Sequence, residues 1–410
     1  MVWPVTHPVG TTYYDPERAF NGYTIWAPLA SDGEVKEESG VINLMDMAGR
    51  ILHTWRTAFP VHYGRLLPNG NMFAMLRRVS EGSPLAEGYH MGGAGGLIVE
   101  YNWEGDVLFE WDDPCSHHDM AKLANGNYIY VGWEKIPRDM APRVRGGLPG
   151  TEHHDGTIFS DYFREIDPEG NILWEWHAFE HLDPDIDVIS PFHARNEWSH
   201  INNIDIMPDG NVLSSSRHMD SAFIVEKDTG SILWRWGNVA YYDRDKGQVL
   251  LGNVKDPRTM GGPHAAHVIP EGLPGAGHML VYDNGMYVYG SRAIEVDIKT
   301  GEILWQTEDH GPVPYVYGRN HFSPFISNAQ RLANGNTLLC EGQNGVFMEI
   351  TREQELVWQY VRPTPSAGKR IMWGVFRAYR YAPDYCPQFA SLPPAEGEAI
   401  LPDVPHGITW

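Results

Sequence analysis

Residues 166–176 read IDPEGNILWEW, and five other stretches repeat the pattern: MDMAGRILHTW (45–55), YNWEGDVLFEW (101–111), EKDTGSILWRW (226–236), VDIKTGEILWQT (296–307) and ITREQELVWQY (350–360). Each is an apolar run, a polar turn usually closed by glycine, and an alternating apolar-aromatic run. The turn glycine accepts a positive φ, and the period of two sends the large side chains to one face, which is a β-hairpin signature. Gly49, Gly105, Gly170, Gly230 and Gly301 lie 56, 65, 60 and 71 residues apart, and Gln354 takes the sixth turn position 53 residues later. A second hairpin phrase follows all but the last: RLLPNGNMFAML from Arg65, KLANGNYIYVG from Lys122, DIMPDGNVLSSS from Asp205, VIPEGLPGAGHMLVY from Val268 and RLANGNTLLCEG from Arg331. Most of these carry Asn-Gly or Asp-Gly turns. Two hairpins supply four strands, which is one propeller blade. No stretch holds a 3.6-residue apolar period beyond a turn or two, which excludes a helical solenoid. A single β-sandwich would not need six copies of one hairpin. The expected fold is all-β, a six-bladed β-propeller of four-stranded antiparallel blades.

Pairing each hairpin with the phrase that follows it gives blades at about 41–78, 97–133, 163–217, 222–289, 293–341 and 346–381. Residues 1–40 are then an arm that packs on the ring or completes its last blade, removing an open edge. Residues 41–385 form the ring, and 386–410 a Pro- and Glu-rich surface tail. Three long insertions, FEHLDPDIDVISPFHARNEW, NVAYYDRDKGQVLLGNVKDPRTMGGP and DHGPVPYVYGRNHFSPFIS, all precede the second phrase and so emerge at one end of the ring. Long loops gathered in this way usually carry function. A fourth, KIPRDMAPRVRGGLPGTEHHDGT, falls between the second and third units.

The chain has 410 residues, 42% of them hydrophobic, enough for a large core. Many of the 15 tryptophans recur at repeat positions (Trp55, Trp111, Trp174, Trp176, Trp234, Trp236, Trp305, Trp358), where packing between blades is their expected role. A net charge of −22 without a basic patch argues against nucleic acid and anionic membrane as partners. No apolar run is long enough to span a bilayer. The opening MVWPVTHPVG lacks a secretory pattern, so a cytoplasmic location is expected. Cys115, Cys340 and Cys386 form neither a disulfide framework nor a CxxC metal site.

Counting back five residues from the apolar residue of each second-phrase turn gives His62, His118, Asn202, His264 and Ser327. His117, Asp119, His200, Asn203 and His267 flank them. These positions start the innermost strands, so they are expected to face one central volume. A polar set at one level is costly as core packing. Arg217, ending the strand LSSSR, is a candidate anion clamp, because a guanidinium fork fits a sulfate, phosphate or carboxylate. Its structural alternative is an ion pair with Asp220 or Asp205. Arg319 is a second candidate, and the pair His153–His154 is a candidate lid. Tyr241, Tyr242, Tyr315, Tyr317 and Trp198 in the insertions suggest an aromatic substrate.

With SHHD from Ser116, WSHINNID from Trp198, LSSSR from Leu213 and PHAAH from Pro263, joined to the blade phrases, the chain resembles the arylsulfotransferase superfamily over roughly residues 40–380. That resemblance implies transfer of a sulfuryl group from an aryl sulfate to a phenol through a channel histidine, with no cofactor. On it, His264 matches the nucleophile, with His267 next. His200, Asn202 and Arg217 match the anion-holding residues, and His118 or His117 the remaining channel histidine. The partner would be a small aromatic or anionic substrate.

The surplus of imidazoles supports a second reading, a divalent transition metal held by His118, His200, His264 and His321. A lyase, hydrolase or oxygenase acting on a small aromatic or acidic substrate would follow. An interaction propeller is a third reading, and a carbohydrate-binding or polysaccharide-cleaving one a fourth. The polar column disfavours the interaction propeller.

Overall fold

In the decisive hairpin, Gly170 takes a φ of 86° between the strands Phe159–Ile166 and Ile172–His177, and Phe163 pairs with Trp176 across it. Gly49, Gly105, Gly230 and Gly301 repeat that left-handed turn, and Gln354 adopts it without glycine, at 70°. The Asn-Gly and Asp-Gly turns do the same at Gly70, Gly126, Gly210 and Gly335. The computed structural model describes residues 9–29, 40–307, 321–363 and 374–401. Six of its sheets are antiparallel blades of a β-propeller, four with four strands each from consecutive sequence, one five-stranded and one built from both ends of the chain; two small two-stranded sheets, Gly146–Leu148 with Ile189–Ala194 and Ala240–Asp243 with Gln248–Leu251, lie in the insertions.

The blades are phased differently from the expectation. Hydrogen bonding joins each second-phrase hairpin to the hairpin after it, not to the one before. The first blade runs from Val61–Leu66 through Met72–Arg77 and Gly96–Tyr101 to Val107–Asp112. The second, third, fourth and fifth have innermost strands Ser116–Lys122, Asp205–Ile206, His264–Val268 and Asn328–Arg331. Period and turn chemistry define a hairpin but do not say which neighbour it pairs with. The tight link decides it: Ser216 and Ser221 pair directly across a short turn, whereas the long insertions cross from the outer edge of one blade to the axis of the next. The segment 136–158 therefore lies inside the second blade, between its second and third strands, and not between blades.

The sixth blade orders Ala378–Tyr381, Tyr23–Trp26, Val41–Met45 and Ile51–Arg56, so a strand from each end of the chain is paired inside it. Gly10–Tyr14 adds a fifth strand to the outer edge of the fifth blade. The segment after Cys386, expected as a surface tail, buries Phe389 against Tyr23, with ring centroids 4.7 Å apart.

Cross-blade bonds recur at the turn end. Trp55, Trp176, Trp236 and Trp358 donate from Nε1 to Asn102, Gly230, Gly301 and Met47 carbonyls of the adjoining blades at 2.8–3.0 Å. The second Asn of the NGN phrase has its own task. Asn71, Asn127 and Asn336 each donate to a buried glutamate (Glu100, Glu165, Glu349) on the third strand of their own blade at 2.6 Å. Lys122 and Arg380 from the next blade's inner strand pair with Glu100 and Glu349, and Arg331 pairs with Glu295. A buried carboxylate so surrounded has its charge matched and its lone pairs filled.

Candidate active site

The connections that enter the innermost strands, and those linking second to third strands, share one end of the ring. There they enclose a cavity of about 970 Å³. The inner strands enter it through irregular backbone. His118, Ser199, His200, Ala265, Ile326 and Ser327 have left-handed φ values of 53°, 95°, 50°, 56°, 55° and 89°. The pairing slips around His117–Met120 and again between His264 and His267. Bulges of this kind re-aim side chains off the sheet. For β-branched Ile326 the conformation is strained, by about 1–3 kcal/mol.

Of the sequence candidates, His62, His118, His200, His264 and Arg217 line the cavity. His118 is the hub, with ring centroids 5.7 Å from His62 and 4.8 Å from His200. Asn202 and Asn203 do not reach the cavity; they donate to the Pro263 and Ala266 carbonyls at 2.8 and 2.6 Å and join two inner strands. In blade three the cavity position is two residues back from Asn202, at His200, where the backbone is left-handed. His267 turns away and donates from Nδ1 to the Ala265 carbonyl at 2.9 Å. Ser327 caps Gly342 N at 2.9 Å, and its neighbour Ile326 faces the cavity instead. Asp119 lies beneath, bonded to Tyr63 and paired with Arg377 at 2.8 Å, which closes the channel floor.

The four-histidine metal set is not assembled. His321 is held between Tyr282 Oη and Glu341 Oε2, each at 2.8 Å, away from the cavity. Among the described residues no three His, Cys, Asp or Glu side chains are grouped to hold a metal ion. His153 and His154 pack on Tyr89 at the cavity rim, with centroids 4.8 and 6.0 Å away. Trp198 is core, Tyr241 is exposed, and Tyr242 lies under Arg145. Arg319, Tyr315 and Tyr317 fall outside the described residues.

Sequence reasoning missed His193, Glu197 and His218, which also line the cavity. The rings of His193, His218 and His200 form a near-parallel stack with successive centroids 4.9 and 4.5 Å apart. His218 adjoins Arg217 and Glu197 precedes WSHIN, but nothing in the repeat marks either. Phe376, from the blade whose inner strand has no second phrase, packs 4.1 Å from His62.

The electrostatics favour neutral imidazoles beside the cations Arg217 and Arg77. Burial, then neighbouring cationic and imidazole groups, pushes His62, His118, His218 and His264 well below the ordinary histidine value. Burial and Arg217 do the same to His200. Burial raises Glu197 to about 8, and its Oε2 lies 2.8 Å from His200 Nδ1. Arg217 is not paired with Asp220 or Asp205. Its Nε has no hydrogen-bond partner, its Nη2 lies 3.8 Å from Met286 Sδ, and no carboxylate among the described residues is within ion-pair distance of it. Asp220 is taken by His193 at 3.1 Å, by Gly262 N at 2.7 Å and by Tyr287. His264 has a defined tautomer. Nδ1 lies 3.0 Å from the Gly262 carbonyl and 2.7 Å from Asn284 Oδ1, so it carries the proton, and Nε2 accepts Ile326 N–H at 3.2 Å.

The chain is similar to a solved structure of a protein of unknown function from Bacteroides caccae, with a TM-score of 0.51 and 12% identity over 88% of this chain and 98% of that one. It is also similar to a catalytically inactive virginiamycin B lyase from Staphylococcus aureus with quinupristin (TM-score 0.41, 10% identity, 87% and 89% covered). AztD from Citrobacter koseri is a third (0.42, 9%, 88% and 99%). No curated protein sequence matches the chain. The first likeness is one of fold. The family model for arylsulfotransferase (ASST) matches residues 33–372, most of the sequence, and the chain therefore belongs to the arylsulfotransferase family.

Proposed function

We propose that this protein moves a sulfuryl group from an aryl sulfate to a phenolic acceptor by way of His264. The observation that carries the reading is Arg217, a half-buried guanidinium whose Nε is buried and which has no carboxylate partner among the described residues, set among neutral imidazoles. A cation taken partly out of water with no counter-charge favours an anion that completes it. A sulfate ester is such an anion, and its aryl group suits the wall formed by Met91, Phe192, Met286, Phe325 and Phe376.

In the first half-reaction the His264 Nε2 lone pair gives up the Ile326 N–H and attacks sulfur. The N–S bond forms as the S–O(aryl) bond breaks, and the electron pair leaves on the phenolate oxygen. The positive charge on the sulfo-imidazole is met at Nδ1–H by the Gly262 carbonyl and Asn284 Oδ1. Arg217 holds the sulfuryl oxygens. His200 lines the same cavity, with Glu197 Oε2 2.8 Å from its Nδ1. Donors fixed in place before the reaction lower the barrier without reorganising. In the second half-reaction the acceptor oxygen attacks sulfur, the N–S bond breaks back onto Nε2, and His118 takes the phenol proton.

The test is release of a chromogenic phenol from its sulfate with a second phenol as acceptor, alongside mass analysis of enzyme mixed with donor alone. The expected result is acceptor-dependent turnover and one added SO3 on His264, with His264→Ala losing activity on the order of 10⁴-fold or more. Turnover that survives in His264→Ala, or donor consumption with no adduct, would overturn the reading.

A further inference from the structure

One contact of Arg217 has no task in the transfer mechanism. Among the described residues the one acceptor its guanidinium meets is a thioether, Met286 Sδ, 3.8 Å from Nη2. Its Nε meets none. A thioether is a weak acceptor, so most of the donor capacity of the fork stays unused. The sulfur also adjoins the support of the nucleophile. A Cβ on Gly262, whose carbonyl holds His264 Nδ1, would come 2.9 Å from Sδ and 3.6 Å from Arg217 Cγ. Met286 and Arg217 thus share one corner of the cavity wall.

That sulfur is open to a small oxidant. Among the described methionines, Met140, Met207 and Met286 are half-exposed and the others are buried. Of those three only Met286 lines this cavity. Cys115 is half-exposed as well, but burial and then Asp113 push its thiol up to about 12, which keeps it from forming the reactive thiolate. A thioether has no proton to lose and is oxidised in its resting form.

We infer that Met286 is an oxidation site that switches the protein off, its sulfoxide oxygen taking the place on Arg217 that an anionic substrate needs. The oxidant is a peroxide. A sulfur lone pair attacks one peroxide oxygen, the S–O bond forms, the O–O bond breaks, and the departing hydroxide takes a proton and leaves as water. Sulfur gives up two electrons and the peroxide gains them. A strongly polar oxygen then replaces a weak acceptor. The flexible side chain lays that oxygen on the guanidinium, and a charge-assisted hydrogen bond holds it there. Enzymatic reduction of the sulfoxide reopens the site. The inference rests on the sulfuryl-transfer reading only in taking Arg217 as the anion holder.

The experiment treats the full chain with hydrogen peroxide and maps the oxidised methionines by peptide mass analysis. Binding of inorganic sulfate and turnover of an aryl sulfate are measured before and after. Oxygen should appear on Met286, sulfate binding should weaken about 10–10²-fold, and turnover should fall in step with the fraction of Met286 oxidised. A methionine sulfoxide reductase should restore both. A chain carrying Met140→Leu and Met207→Leu lacks the other two half-exposed sulfurs and should be inactivated as the native chain is. Met286→Leu, compared with its own untreated sample, should lose nothing to peroxide. Met286→Gln presents an amide oxygen on a chain of similar length; it should bind sulfate as weakly as the oxidised protein with no oxidant added, which guards against peroxide damage elsewhere. A loss that persists in Met286→Leu, a Met286 sulfoxide that leaves sulfate binding intact, or a Met286 that stays reduced while Met140 and Met207 oxidise would overturn the inference. Sulfate binding that follows the switch in a protein that forms no sulfo-adduct would leave the switch standing and sink sulfuryl transfer instead.

Discussion

The two ends of the ring are built on opposite terms. At the turn end the hairpins repeat, each left-handed position is a glycine except Gln354, and buried carboxylates are matched by asparagine and a cation. At the loop end non-glycine residues occupy left-handed conformations, and His62 Nε2 and Arg217 Nε are buried without hydrogen-bond partners. Matched carboxylates stabilise the turn end, and the cavity's unpartnered donors are where a ligand can bind. The difference teaches that stability and reactivity can be located separately in one sheet, because a strand of this fold runs from one end to the other.

The sharpest break of that contrast is Glu349→Ala. It strands Arg380, fully buried, and removes the acceptor for Asn336 and for Phe20 N. Loss of about 3–5 kcal/mol of stability is expected, read by denaturant unfolding, with turnover per folded molecule unchanged. Arg217→Leu should do the converse, lowering turnover about 10²–10³-fold while thermal unfolding stays level or moves up, since an unmatched buried cation is removed. If it unfolds the protein, Arg217 belongs with the structural residues and the contrast fails.

The mildest test is one of slope. Glu197 holds its proton up to about pH 8 in the folded chain, against 4.5 in the unfolded one. The folded state therefore binds more protons across that window, and Glu197 makes stability fall as pH rises through it. Glu197→Gln should flatten that fall. The buried histidines act in the other direction. Their folded values lie below 6.5, so the unfolded chain takes up protons that the folded one refuses, and stability falls as pH drops below that value. Replacing His62 with Gln should lessen this acid loss and leave the alkaline limb alone.

The fold was legible because alternation and turn chemistry are local properties. Blade phase was not, because an Asn-Gly hairpin looks the same whichever neighbour it pairs with. His118 and His264 were found by counting back from the turns, although both strands slip register there. Asn202 was counted to the same level, but left-handed backbone at Ser199 and His200 brings His200 to the cavity and leaves Asn202 on the Pro263 carbonyl. His267 and His321 were plausible by composition, and hydrogen bonds to Ala265, Tyr282 and Glu341 take them elsewhere. Glu197, His193 and His218 lie where a long insertion folds back, and only tertiary contact brings them to the cavity.

The blade that joins both ends of the chain has a consequence for synthesis. Its inner strand, Ala378–Tyr381, is made last, directly after Phe376 and Arg377, which supply the cavity wall beside His62 and the plug on Asp119. Until those residues leave the ribosome the ring is a horseshoe, with its reactive histidines open to bulk water. The cavity wall is thus finished in the same moment as the circle.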